Sequence, residues 1–518
     1  MLGAPSGNAK HQLGEVNGED IDLQYEFKMM RYSILTPEEA ASIINNNDMV
    51  AFSGFTAAGS PKAVPTALAH RATWLHKKGE DFAIRLITGA SVSAQADNEL
   101  AAAKCVKWRA PYQSAPGMRK AINNNEVEFV DMHLSEVAQM LSAGFFGEID
   151  VAVIEANDVT DDGRVFLTSG IGNSPTFLNS AKKIIIERNS YFSSRITEFA
   201  DILTLPSPPM RPVIPIYKTM DKIGKPYAQI DTTKIVGIVE TNQADQIYTL
   251  TKNDEACVHI AHNVEKFLLN ELSFGRIPKE FLPIQSGVGN INNAVMHTLG
   301  KHPDIPKFTM FSEVLQESVV DLILSGKVTG ISASSLTITP GKLQTIFDNI
   351  DFFKDKIVLR PQEISNNPEI IRRLGVIALN VGLEFDIYGH ANSSHALGTD
   401  IMNGIGGSGD FERNAYLSIF MAPSIAKGGK ISSIVPMCTH IDHSEHSVKV
   451  IITEQGIADL RGLSPSQRAK SIIENCAHPM YKDALHKYLS TCKQGHILHD
   501  LHHAFDMHLK FMETGSML

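Results

Sequence analysis

The segment Ile284-Gln-Ser-Gly-Val-Gly-Asn-Ile291 is the key to the architecture, because an earlier segment, Ala51-Phe-Ser-Gly-Phe-Thr-Ala-Ala-Gly59, has the same design. In each, a short apolar run leads into a glycine-rich turn, and a helical pattern follows. A second pair of glycine turns, Ser169-Gly-Ile-Gly172 and Asn403-Gly-Ile-Gly406, occurs in the same order. Matching glycines are 233 residues apart in the first pair and 234 in the second. Two pairs at nearly one offset predict a duplicated domain.

Short β-branched runs such as Ile235-Val-Gly-Ile-Val239 alternate with helical patterns such as Glu369 to Val381. This alternation predicts an α/β fold with mostly parallel sheets. The proline-rich segment Pro206 to Pro215 interrupts it, and prolines favour an extended chain between packed units. We therefore predict one domain over residues 1–220 and a second over residues 221–518. The polar helical tail of the second domain, after about Ile472, predicts a C-terminal cap.

Composition excludes several classes of protein. The chain has 518 residues with 47 Lys and Arg against 57 Asp and Glu, a net charge of -10 that disfavours binding of nucleic acid. No apolar run is long enough to span a membrane. The five cysteines are odd in number and never spaced as C-x-x-C, which indicates a reduced protein without a disulfide frame or structural zinc. The polar first 22 residues resemble neither a signal nor a transit peptide, so the cytoplasm is expected, or the mitochondrion in a eukaryote.

Two features of the sequence could take part in ligand binding or catalysis. The glycine turns that begin at Gly287 and Gly404 can bring backbone N–H groups close to an anion, although neither has the spacing of a dinucleotide fingerprint or a P-loop. Glu313 follows an apolar run, at the end of a strand where open α/β sheets place reacting groups. The alternative is structural: Ser312 would cap a helix, and a glutamate in the first turn would complement the helix dipole.

Other polar clusters carry weaker signals. The segment from His440 to His446 has metal-ligand residue types without a recognised ligand spacing, so we predict a polar loop and no metal. Ser393-Ser-His395 lacks the G-x-S-x-G elbow of a serine hydrolase. Glu454 follows a strand, as Glu313 does, and either orients a partner or caps a helix. The histidines of the C-terminal tail, which we interpret as the solvated face of a helix, are His496, His499, His502, His503 and His508.

Four motifs in a fixed order resemble the acetyl-CoA hydrolase/transferase family, which includes succinyl-CoA:acetate CoA-transferases and fungal acetyl-CoA hydrolases. The likeness extends from about Ser33 to the C-terminal helices. The motifs are Ile284-Gln-Ser-Gly-Val-Gly-Asn-Ile291, Phe311-Ser-Glu-Val-Leu-Gln316, Gly389-His-Ala-Asn-Ser-Ser394 and Asn403-Gly-Ile-Gly-Gly-Ser-Gly-Asp-Phe411. The resemblance implies two tandem CoA-transferase-like domains, the second carrying the catalytic glutamate and the C-terminal helices, and a homodimer.

The resemblance also implies roles for individual residues. Glu313 would be the nucleophile, and Asn366 and Glu454 would organise it. Backbone N–H groups near Val288 and Gly407 would stabilise an oxyanion. The positions implied to bind CoA are Gly287, Val288, Gly289, Asn290, Ile291, Leu383, Asn403, Gly407 and Lys427.

The activity implied is transfer of CoA between an acyl-CoA and a small carboxylic acid, most simply succinyl-CoA and acetate, through a glutamyl-CoA thioester. CoA thioester is then a substrate, with no tightly bound cofactor and no metal. Two alternatives remain open. Acetyl-CoA hydrolysis differs only in whether water resolves the intermediate, and a noncatalytic CoA-binding module would need no glutamate at position 313.

Overall fold

Two large, mostly parallel sheets organise the chain, which confirms the α/β prediction. A computed structural model describes residues 32–209, 211–247 and 254–518. The first sheet contains β1 to β9: Met49–Phe52, Ile84–Thr88, Val106–Ala110, Glu128–Phe129, Ile149–Val159, Arg164–Leu167, Ala181–Asn189, Ala228–Gln229 and Ile235–Thr241. The second contains β10 to β17: Ile284–Ser286, Phe308–Phe311, Val328–Ala333, Ile357–Leu359, Ile377–Val381, Leu417–Met421, Val450–Thr453 and Gly456–Asp459.

The two sheets share one strand order, which confirms the duplication. In the first, the parallel strands run β4-β3-β2-β1-β5-β7-β9, while β6 pairs antiparallel with β5 and β8 pairs antiparallel with β6. In the second they run β13-β12-β11-β10-β14-β15-β16, with β17 antiparallel at the edge. Strands β1 and β10 therefore correspond, and each leads into one of the glycine turns that the sequence pairs. By the same order, β2 corresponds to β11 and β3 to β12.

Helices cover the sheets. Helices α1 to α6 are Pro37–Ser42, Ala63–Lys77, Ala94–Ala102, Pro116–Asn123, Val137–Ser142 and Ser174–Ser180. Helices α7 to α17 are Glu255–Ser273, Asn290–Lys301, Glu317–Leu324, Pro340–Asp348, Ile350–Phe353, Gln362–Ser365, Pro368–Leu374, Ser408–Asn414, Pro465–Cys476, Pro479–Thr491 and Asp506–Thr514. Of the described helices, none combines the length and apolar character needed to cross a membrane.

Each half contacts the other through an equivalent turn. The turn at residues 169–172 of the first half pairs with residues that follow β12, since Ile171 N donates to Ser334 O at 2.9 Å and Leu336 N to Ser169 O at 2.8 Å. The turn at residues 403–407 of the second half meets residues that follow β3, where Gln113 N donates to Asn403 O at 3.3 Å. This reciprocal packing brings loops of both halves to one place.

The C-terminal helices form the expected cap. Side chains of α15 and α16, including Ile472 and Leu485, pack in one buried cluster with Phe420 and Ile451 of the second sheet. The prediction of a solvated histidine face was wrong for His508, whose Nε2 lies 2.8 Å from Glu384 Oε2 in the interior. Residues 493–505 form bends and turns rather than a helix, so the helical spacing of those histidines was a coincidence.

The predicted division at residues 220 and 221 stays a prediction. Strand β9, Ile235–Thr241, belongs to the first sheet although it follows that division. Residues 206–209 and 211–215, the described part of the proline-rich segment, form no helix or strand, as expected, and Ile214 and Ile216 pack in a cluster with Phe311. All five cysteines are free thiols.

Candidate active site

A cavity of about 310 Å³ opens where the loops of the two halves meet. The second half contributes six of the twelve residues predicted for the site, namely Gly287, Val288, Glu313, Leu383, Asn403 and Gly407. The first half contributes Phe55 and Thr56, from the glycine-rich segment Ala51 to Gly59 noted in the sequence, and also Ala90, Tyr112 and Leu134, which were not predicted. The site is therefore shared between the two halves of the duplication.

Glu313 lies two residues beyond the end of β11, at the carboxyl end of the sheet. It does not begin a helix: Val314–Gln316 is a short strand paired with Ser335–Thr337, and α9 starts only at Glu317. The Glu313 backbone is fixed, because its carbonyl accepts hydrogen bonds from Ser334 N at 2.7 Å and Ser335 N at 3.2 Å. Its side chain faces the cavity. The alternative, in which Glu313 would only complement the dipole of a helix, therefore does not apply.

Asn366 holds the Glu313 carboxylate. Its Nδ2 donates to Glu313 Oε1 at 2.8 Å, and its side chain is completely buried at the end of α12. Burial raises the pKa of Glu313 to about 7, although the Asn366 hydrogen bond acts to lower it. Asn366 is thus placed where the resemblance expects a residue that organises the nucleophile.

Gly407 approaches the same carboxylate so closely that only glycine fits. A Cβ atom at this position would lie 1.8 Å from Glu313 Oε1 and 2.6 Å from Asn366 Nδ2. No real contact is that short, so the missing side chain makes room for the glutamate. Gly407 precedes α14 and lines the cavity.

The turn after β10 forms another wall. Gly287 and Val288 line the cavity, and Val288 is 53% exposed, an apolar side chain available to a ligand. Gly289 has φ of +134°, a conformation that other residues rarely adopt, and directly precedes α8. Asn290 and Ile291 form the first turn of α8 and are not among the described residues that line the cavity.

Asn403 connects the second glycine turn to the first half. Its Nδ2 donates to the Tyr112 hydroxyl at 3.1 Å, and Ile405 N donates to Asp131 Oδ1 at 2.9 Å. The cavity wall is completed by Leu383, which is 41% exposed. No sequence signal pointed to Tyr112, a single aromatic residue after a strand.

Two further predicted residues, Glu454 and Lys427, are not among the described residues that line the cavity either. Glu454 accepts a hydrogen bond from Ser424 N at 2.7 Å. Burial acts to raise the pKa of Glu454, but hydrogen bonds from Ser424 and Gln455 outweigh it and hold that pKa below its usual value. Lys427 is exposed, with Nζ 5.0 Å from the centre of the Phe511 ring. Their proposed roles stay predictions.

A group of possible metal ligands occurs beside the cavity. Ligand atoms of His395, His440 and Asp442 lie within 4.8 Å of one another. Each is already satisfied within the protein, because Asp442 Oδ1 lies 3.1 Å from His440 Nε2 and Ser394 Oγ lies 2.7 Å from both Asp442 Oδ1 and His395 Nδ1. These contacts account for the closeness of the three side chains without an ion.

Comparison with known proteins places the chain in a family. Residues 17–240 match the model of the acetyl-CoA hydrolase/transferase N-terminal domain, and residues 343–489 match that of the C-terminal domain. The chain belongs to the acetyl-CoA hydrolase/transferase family. It is 65% identical to propanoyl-CoA:succinate CoA transferase of Escherichia coli, over 94% of this chain and 99% of that protein.

Other members of the acetyl-CoA hydrolase/transferase family have different activities. The chain is 46% identical to succinyl-CoA:acetate CoA-transferase of Clostridium kluyveri, over 94% of this chain and 90% of that protein. It is 40% identical to acetyl-CoA hydrolase of Schizosaccharomyces pombe, over 93% of this chain and 96% of that protein. Among solved structures, RipA from Yersinia pestis covers 89% of this chain and 97% of its own, with a TM-score of 0.68 and 25% identity. A 4-hydroxybutyrate CoA-transferase from Porphyromonas gingivalis shares the fold, with 19% identity and a TM-score of 0.59. The match covers 89% of this chain and 97% of that chain.

Proposed function

We propose that this protein transfers CoA between an acyl-CoA and a small carboxylic acid through a covalent thioester on Glu313. The observation that carries the proposal is the Glu313 carboxylate, which faces the shared cavity between Asn366 and the bare backbone of Gly407. For substrates we propose succinyl-CoA on one side and a short acid, acetate or propanoate, on the other. Support comes from the two transferase relatives, whose names include succinate or succinyl-CoA.

The first half-reaction moves CoA onto the enzyme. A carboxylate oxygen of Glu313 attacks the thioester carbonyl, the C–S bond breaks, and a mixed anhydride forms as CoA thiolate leaves. The thiolate then attacks the glutamyl carbonyl, which gives the glutamyl-CoA thioester and releases the first acid as a carboxylate. A second carboxylate attacks this thioester, and CoA thiolate leaves again. Attack of the thiolate on the new acyl carbonyl yields the second acyl-CoA and restores Glu313.

Neighbouring residues can stabilise the charge that develops. Each addition step forms a tetrahedral oxyanion, for which a positioned N–H donor is worth about a hundredfold or more in rate. Asn366 Nδ2 is already bonded to the Glu313 oxygen that becomes an oxyanion when the glutamyl carbonyl is attacked. For the substrate carbonyl we propose the backbone N–H groups of Val288 and Gly407, since both residues line the cavity with Glu313.

Transfer rather than hydrolysis requires that water be kept from the intermediates. Phe55 and Thr56, from a loop of the first half, line the cavity together with the second-half turns, and Thr56 Oγ1 lies 3.2 Å from Thr337 Oγ1. This loop is the part of the chain that we expect to set the ratio of transfer to hydrolysis.

Trapping the intermediate tests the proposal. We expect that the protein incubated with propanoyl-CoA alone, then treated with borohydride, will carry a reduced side chain at position 313 in peptide mass spectrometry. Adding succinate should exchange the acyl group faster than free CoA appears. An unmodified Glu313 would contradict the mechanism, and free CoA released at the same rate with or without succinate would instead indicate a hydrolase.

The pH dependence of the first half-reaction should follow the ionisation of Glu313. Its pKa is raised to about 7 from an ordinary 4.5, and only the ionised form attacks the thioester. The ionised fraction rises with pH through 7, so kcat/KM for propanoyl-CoA should be constant at high pH and fall about tenfold per unit well below 7. Initial rates measured from pH 5 to 9, with enzyme stability checked at each pH, test this. A profile that stays flat down to pH 5 would show that Glu313 titrates at its ordinary value.

A further inference from the structure

The Asn366 amide connects two carboxyl groups. One of its N–H bonds is directed to Glu313 Oε1 at 2.8 Å, and the other to Asp410 Oδ2 at 3.3 Å. Its carbonyl oxygen accepts a hydrogen bond from Ser365 Oγ at 3.0 Å. Each N–H group of the amide therefore donates to a carboxyl group, and Glu313 is only one of the two acceptors.

Asp410 is held in place from the other half of the chain. It is 3% exposed and lies in α14. Ser135 donates twice to it, from N to Oδ2 at 3.0 Å and from Oγ to Oδ1 at 2.6 Å. Ser135 belongs to a short 3₁₀ helix, Leu134–Glu136, whose Leu134 lines the cavity.

We propose that Asp410, anchored by Ser135, is a positioning residue that fixes the rotation of the Asn366 amide so that an N–H group faces Glu313. The two ends of an amide have nearly the same shape, and rotation by 180° would present the carbonyl oxygen of Asn366 to Glu313. That arrangement would repel the carboxylate and remove the donor for its oxyanion. A second acceptor for the same amide nitrogen disfavours the wrong rotamer, because the carbonyl oxygen would then face Asp410 as well as Glu313. This inference rests on the proposed function of Glu313.

The charges around Asp410 make the role measurable. Burial raises the pKa of Asp410 to about 7, and the nearby negative charge of Glu313 adds to the increase. The Ser135 hydrogen bonds and His133, whose Nδ1 lies 4.0 Å from Asp410 Oδ1, act to lower that pKa. The two acids are thus close enough for the ionisation of one to affect the other. Removing the charge of Asp410 should therefore shift the titration of Glu313 to lower pH.

Two substitutions at this position separate orientation from charge. Asp410→Asn can keep an oxygen toward Asn366 and Ser135 N, so we expect kcat within about fivefold of wild type and an inflection of the kcat/KM profile at lower pH. Asp410→Ala removes the acceptor, and we expect kcat to fall about a hundredfold, with KM for propanoyl-CoA within about twofold, the size of effect typical of losing one oxyanion donor. Ser135→Ala should lower kcat about fivefold in the same way. Ser193→Ala is the control, because Ser193 caps another 3₁₀ helix and is not among the described residues that line the cavity.

The rate at which propanoyl-CoA forms the adduct on Glu313 in a single turnover distinguishes the possible failures. If wild-type protein forms no adduct on Glu313, the proposed function fails. If wild type forms it and folded Asp410→Ala forms it equally fast with an unchanged pH profile, the positioning role is wrong. If Asp410→Ala does not fold, Ser135→Ala decides, and an adduct rate and pH profile equal to those of Ser193→Ala would overturn the inference.

Discussion

Replacing Glu313 with glutamine should lower kcat for CoA transfer by about 10⁴-fold or more, the size of effect seen when an enzyme loses its covalent nucleophile. Glutamine has the same shape, and its side-chain oxygen can still accept the hydrogen bond that Asn366 Nδ2 donates at 2.8 Å. An amide, however, has no carboxylate oxygen to attack a thioester, so neither the anhydride nor the glutamyl thioester can form. The measurement is steady-state transfer from propanoyl-CoA to succinate, with binding of CoA followed separately.

A control for this substitution is Glu369→Gln, an exposed glutamate in the first turn of α13. Like Glu313→Gln, it replaces one carboxylate with a neutral amide. It should leave kcat within about twofold of wild type, since surface substitutions rarely have large effects. Because the side chain of Glu313 is partly buried in a cavity, its replacement by a neutral group should not lower the thermal unfolding temperature. Activity of Glu313→Gln above a few per cent of wild type would mean that another group accepts the acyl or CoA moiety.

Replacing Gly407 with alanine should lower kcat by about 10² to 10³-fold. The added methyl group would lie 1.8 Å from Glu313 Oε1 and 2.6 Å from Asn366 Nδ2, so the carboxylate must leave its present position. The backbone itself is not the obstacle, because φ of −86° and ψ of −5° at Gly407 are accessible to alanine. The loss should thus be confined to the catalytic geometry, as expected when a reacting group moves by an ångström.

The matched control for this change is Gly341→Ala, in the first turn of α10. A Cβ atom there meets no other atom within 4 Å, so activity should be unchanged. Circular dichroism and thermal unfolding of both variants would show whether Gly407→Ala keeps its fold. A folded Gly407→Ala enzyme with wild-type kcat would contradict the close packing of Gly407 on the nucleophile.

The parts of the site that could be predicted from sequence depend on patterns within short segments of the chain. Glycine turns at a constant offset revealed the duplication, and Glu313 stood out because a charged residue closely follows a buried strand. Asp410 lies within the fourth motif, but no pattern revealed its contact with Ser135, because the two residues are 275 positions apart and meet only when the two halves pack. The same reason explains the error at His508, whose partner Glu384 is 124 residues away. Contacts between distant segments depend on packing, which a periodic pattern does not encode.

The matched strand order has a consequence for stoichiometry. Ala90 follows the end of β2 by two residues, as Glu313 follows the end of the corresponding strand β11, and both line the same cavity. A methyl group cannot attack a thioester, so of these two equivalent positions only Glu313 offers a carboxylate. If Glu313 forms the proposed glutamyl-CoA thioester, titration with an acyl-CoA labelled in its CoA moiety should end at a single equivalent of label for each polypeptide, although the architecture has two places where a nucleophile could stand.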